Sequence, residues 1–150
     1  MINIGNREEI IGKIVSLLLP KKDVLLAYLY GSFAKGETHP NSDIDIAILV
    51  NDSISEIKYS YGYRAEILTD LMKTLHTNRV DLIILNEAPP FLRFQVVRYG
   101  IPILTRSEAE RIDFHVKTIT KYNDVKKLLD IQNRYISRRL KDGTYGKIKI

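Results

Sequence analysis

The sequence predicts an α+β fold in one domain. Three observations carry this: short apolar runs bounded by turn residues at Val24–Tyr30, Ile44–Val50 and Val80–Leu85, stretches of helical periodicity between them, and a length of 150 residues with 45% hydrophobic and 27% charged side chains. A chain of this size buries roughly 70% of its unfolded surface around one core. Disordered, collagen-like and disulfide-framework classes are excluded by that composition and by the absence of cysteine.

Each element has its own signal. Asn6 with Glu9 three residues on opens a helix carrying Ile10, Ile11, Ile14, Val15 and Leu18, and Pro20 stops it. Val24–Tyr30 runs straight into Gly31 and reads as a buried strand ending in a turn. Ile44–Val50 is the second strand. Ser53 and Glu56 form a capping box for a helix with Ile57, Tyr61, Leu68, Leu71, Met72 and Leu75, reaching about His76. Val80–Leu85 is the third strand. Pro89 and Pro90 open a helix through Tyr99, with Phe91, Phe94 and Val97 expected in the core and Gly100 ending it. Ile101–Leu104 is a short edge strand. From Ser107, with Glu110 as its capping partner, one long or broken helix runs to before Gly143.

Charge is unevenly placed. Residues 1–105, the expected core, hold 11 basic and 12 acidic side chains, and residues 106–150, a C-terminal helix and basic tail, hold 12 and 6. The tail residues Arg134, Arg138, Arg139, Lys141, Lys147 and Lys149 suit an acidic partner or a solvated end, and no RNA-binding motif accompanies them. No apolar run reaches the roughly 18 residues of a membrane span, and Arg7, Glu8 and Glu9 do not make a signal-peptide start. A cytoplasmic protein is expected.

The chemistry lies between Tyr30 and Asp45. On a strand, residues two apart share a face, so Asp43 and Asp45 project together while Ile44, Ile46, Ile48 and Val50 enter the core. Paired carboxylates suit magnesium, which takes oxygen ligands and completes its shell with substrate phosphates. Gly31 and Ser32 stand between a strand and a helix N-terminus, where backbone N–H groups favour a phosphate. Ser32 adds a hydroxyl and Lys35 a charge. Asp81 opens an apolar strand where a carboxylate has no packing purpose, and it joins the pair if that strand lies beside the second. His39, His76 and His115 lack metal spacing, Tyr59, Tyr61 and Tyr63 cannot all share one helix face, and Arg93 reads as a surface cation.

Gly31-Ser32, a spacer, then Ser42-Asp43-Ile44-Asp45, with Asp81 on a later strand, resembles the nucleotidyltransferases of the DNA polymerase beta superfamily. More narrowly, with Leu85-Asn86-Glu87-Ala88-Pro89-Pro90, the chain is similar to the minimal nucleotidyltransferase antitoxins of the MntA type, which pair with HEPN-domain toxins. The resemblance implies a small mixed sheet flanked by helices, and transfer of AMP from ATP to a tyrosine of the toxin within a complex of the two proteins. It implies nucleotide contacts at Gly31, Ser32, Lys35 and Ser42. Asp43 and Asp45 would hold two magnesium ions roughly 3.5–4 Å apart, and Asp81 would ligate one of them and take the acceptor proton. Two alternatives stand beside it: an adenylyltransferase for small molecules of the aminoglycoside kind, for whose acceptor domain the chain has little room, and an antitoxin that acts by binding alone.

Overall fold

Four strands and five helices are built from alternating segments in a computed structural model that describes residues 7–37, 42–51 and 61–143. In chain order they are α1 (Arg7–Leu18), β1 (Val24–Tyr30), α2 (Gly31–Lys35), β2 (Ile44–Val50), α3 (Tyr61–Leu75), β3 (Val80–Ile84), α4 (Pro90–Tyr99), β4 (Ile101–Thr105) and α5 (Glu108–Lys141). The helix starts expected at Asn6 and Ser53, the loop residue His39 and the tail residues Lys147 and Lys149 lie outside the described residues.

The sheet is mixed, in the order β3-β2-β1-β4. β1 runs antiparallel to β2 and β4, and β2 runs parallel to β3. Alternation along each strand sorts side chains onto two faces. On one face, Ile44, Ile46, Ile48 and Val50 of β2 with Val80, Leu82 and Ile84 of β3 meet Ile14 and Leu18 of α1 and Ile67 and Leu71 of α3. On the other, Leu26, Tyr28 and Ala47 meet Val96 of α4 and Phe114 of α5. That second face carries Asp45 and Asp81 at its end, since they alternate with the first set.

Several local details set the ends of elements. Ser107 caps α5, its hydroxyl accepting from the Glu110 N–H at 3.3 Å. Gly100 ends α4 in extended rather than left-handed backbone, and glycine is needed because a Cβ there would overlap the Val96 carbonyl. Asn86 lengthens the sheet with its side chain, accepting from Val50 N at 3.0 Å and donating to Val50 O at 2.8 Å. Arg106 donates to the carbonyls of Leu18 (3.1 Å), Leu19 (2.8 Å), Lys21 (3.0 Å) and Val24. It thereby closes the end of α1, a helix with no basic residue in its last turn.

The expectation that Phe91 and Phe94 are core residues is corrected. Phe91 is exposed and Phe94 stacks on Tyr122 of α5 at 3.8 Å between ring centres, while Val96 is the buried residue of α4. Arg93, expected at the helix surface, folds under to donate to the Asn86 carbonyl. His115 is satisfied inside the fold, its Nε2 lying 2.7 Å from the Tyr28 hydroxyl. Burial pushes that phenol up to about 12 and, with Arg111, lowers the imidazole.

Candidate active site

The three carboxylates come from the ends of two adjacent strands. Asp45 is the second residue of β2 and Asp81 the second residue of β3, and the parallel register sets them directly opposite one another. Asp43 lies just ahead of β2 rather than within it, exposed, and Ser42 precedes it. On the other side, the antiparallel register places Asp45 opposite Tyr30, the last residue of β1. The chain then turns without a spacer into α2, so Gly31 and Ser32 form the first turn of that helix beside Asp45.

Gly31 is fixed there by two constraints. Its φ is +74°, where an L side chain is strained, and a Cβ would overlap Asp45 Oδ2. No side chain caps the N-terminal N–H groups of α2. The helix closes at Gly36, also left-handed, with the Glu37 N–H returning to Ser32 O at 3.0 Å. Lys35 leaves from its last turn, exposed, with its ammonium 5.6 Å from the centre of the Tyr99 ring.

The electrostatics follow from this crowding. Burial, and after it the negative charges of Asp81 and Asp43, together push the Asp45 carboxyl up to about 6. The Tyr30 phenol is held well above its ordinary range, first by burial and then by Asp45 and Asp81, so it stays protonated and is not itself a nucleophile at neutral pH.

Arg64 is the residue that sequence reasoning missed. From the first turn of α3 it reaches around β3, which is an edge strand. Its Nε donates to Leu82 O at 2.7 Å and its Nη2 to Asp81 Oδ1 at 3.0 Å, and the same Oδ1 accepts from Leu82 N at 3.0 Å. No signal in the sequence marked it, because a helix expected from Ser53 puts residue 64 in its interior, and the partner lies 17 residues away around a strand edge.

Among the described residues no three carboxylates or imidazoles form a ready-made metal cage. The residues nevertheless fit a divalent ion such as magnesium. That ion needs only one or two carboxylates when phosphates and water complete its shell, and Asp45, beside Asp43, carries a charge that its surroundings penalise. The arrangement offers backbone donors for an anion next to carboxylates for a cation, with an oriented third acid.

The chain is similar to known proteins. Residues 12–109 match the polymerase beta nucleotidyltransferase family. The chain is 38% identical over 113 residues to the protein adenylyltransferase MntA of Shewanella oneidensis, covering 73% of this chain and 75% of that one. A solved toxin–antitoxin complex with AMP-PNP contains a chain similar at 31% identity and a TM-score of 0.72, covering 85% of this chain and 98% of that one. A complex of tri-AMPylated Shewanella oneidensis HEPN toxin with MNT antitoxin contains another, at 27% identity and a TM-score of 0.69, over 87% and 98%. With its Gly-Ser turn, its paired strand-end carboxylates and these relatives, the chain belongs to the polymerase beta nucleotidyltransferase family.

Proposed function

We propose that this protein is an antitoxin that transfers AMP from ATP to a tyrosine of a cognate HEPN-domain toxin in the cytoplasm and so silences it. The observation that carries the reading is the register of Asp45 against Asp81 beside the Gly31-Ser32 turn. It gathers donors for phosphate and carboxylates for a cation at one sheet end. One similar protein is a protein adenylyltransferase, and another is an MNT antitoxin held in complex with a tri-AMPylated HEPN toxin.

In this reading the α2 N–H groups and the Ser32 hydroxyl hold the nucleotide phosphates, with Ser42 and Lys35 at the margins of the site. Asp43 and Asp45 would hold magnesium, which when bound supplies charge neutralisation at the triphosphate. Asp81 is oriented through Oδ1 by Arg64 and Leu82, and its other oxygen receives the acceptor proton. The phenolic oxygen then forms its bond to the α-phosphorus as the bond to pyrophosphate breaks. An unperturbed phenol, with a pKa of about 10, needs such a base at neutral pH. Residues 1–105 form the nucleotidyltransferase unit and α5 an extension of it.

The test is turnover. Toxin is incubated with a tenfold deficit of this protein, ATP and magnesium, then weighed by intact-mass spectrometry and assayed for RNase. Complete modification at that ratio is expected, because a catalyst acts repeatedly. An unmodified mass with inhibition only at equal amounts would replace the enzyme with a binding-only antitoxin.

A further inference from the structure

The last 16 residues of α5 form a helix arm with an apolar face and, among the described residues, no body beneath it. Beyond Val125 every residue of α5 except Arg139 is exposed. At about 100° per residue, Leu129, Gln132, Ile136 and Leu140 continue the row by which Phe114, Thr118, Tyr122 and Val125 meet the rest of the fold. Leu128 and Tyr135 widen it. Leu128, Leu129, Tyr135, Ile136 and Leu140 are between 39% and 61% exposed.

The four apolar residues nearest Gln132 are symmetric about it. Leu129 and Leu128 precede it by three and four residues, and Tyr135 and Ile136 follow it by three and four; seven away the match ends, with Val125 on one side and Arg139 on the other. An isologous contact between two copies needs a surface that is its own complement, and a palindromic stripe on a helix supplies one for an antiparallel pair. We propose that the arm pairs with the same arm of a second copy, antiparallel, with the two Gln132 side chains at the two-fold axis. A polar pair at that position sets the register, as single polar residues do in coiled coils.

Two further observations favour a second copy. Lys127, Arg134, Arg138 and Lys141 project away from the apolar row, while Lys126 flanks it and Arg139 lies on it, so pairing keeps most of the arm's basic charge away from the contact. Five apolar side chains per arm, at on the order of 100 Å² each, bury roughly 1,000 Å² over two copies, which is the lower edge of a specific interface. The proposal stands independently of the proposed function.

The native chain has no cysteine, so one introduced thiol reports unambiguously. At roughly 50 µM, above the micromolar constants of small interfaces, light scattering should give twice the 17.3 kDa of one chain. Gln132→Cys should form a covalent dimer on oxidation or with a short bismaleimide, and Asp130→Cys, on the far face, should not. Leu129→Asp with Ile136→Asp should give single chains with an unchanged body melt. A native mass of one chain, equal cross-linking of both cysteine variants, or a dimer indifferent to the double aspartate would overturn the proposal. So would a stripe that stays single until a HEPN partner covers it, which would assign the face to that partner.

Discussion

Gly31 and Asp45 exclude a methyl group between them: the Asp45 Oδ2 occupies the place a Cβ on residue 31 would take. The proposed phosphate turn and a metal-binding candidate are therefore in contact, and the sequence pattern Gly-Ser, spacer, Asp-x-Asp describes one packed unit. Gly31→Ala should cost about 1–3 kcal/mol in stability, because a non-glycine residue is strained at φ +74°. It should also displace the carboxylate and lower AMP transfer on the order of a hundredfold. Thermal melts and radiolabelled ATP measure the two losses, and a variant of normal activity would separate the turn from the site.

Asp43→Asn and Asp45→Asn are each expected to leave the fold intact and lower transfer by about a thousandfold, near 4 kcal/mol of barrier. Labelling of purified partner is the measurement. Near-normal transfer by either would remove carboxylate-held metal from the mechanism.

The stability of Asp45→Asn should depend on pH in a defined direction. The carboxyl is pushed up to about 6 in the folded protein, above its unfolded value of about 3.9. The folded state then binds the proton more tightly, so the group's contribution is full below about pH 4 and is lost as pH rises through about 6. With chelator present, Asp45→Asn should melt higher than the native protein at pH 7.5, and the gap should close by pH 4. Solvent screening of this half-buried group keeps the gap modest. A lower melt for the variant at pH 7.5 would make the carboxylate structural.

Arg64→Ala should separate positioning from stability. Its ion pair with Asp81 is half-exposed and worth less than about 1 kcal/mol, so the melt should move little. Transfer should fall about tenfold or more because the third acid loses its orientation. Arg64→Lys should fall nearly as far, since one ammonium cannot replace a fork that spans Leu82 O and Asp81 Oδ1. Full activity in the lysine variant would reduce Arg64 to a local charge.

The sequence was most legible where local chemistry decides structure. The strands Val24–Tyr30 and Ile44–Val50 and the cap at Ser107 were readable because apolar runs and capping residues act within a few positions. That Asp81 would join the other acids depended on strand order, which the residues alone left conditional and the parallel register supplies. Phe91 was misread because α4 is covered along only part of its face, and a short apolar helix does not show from its spacing which turn the partner helix reaches. Arg64 and Arg93 were missed as structural cations for a shared reason: long side chains find carbonyls and carboxylates in space, and no spacing rule encodes that.

Arg106 ties together segments 82 to 88 residues apart, holding the carbonyls of Leu18 and Val24 from beyond β4. During synthesis α1 emerges long before the guanidinium that finishes it, so its last turn has to wait for β4 to pair with β1. In hydrogen exchange the amides at the end of α1 and those of β4 should then open together as one cooperative unit, rather than the helix fraying on its own. An outer strand that would otherwise be the easiest to peel from the sheet is thus coupled to the first helix of the chain.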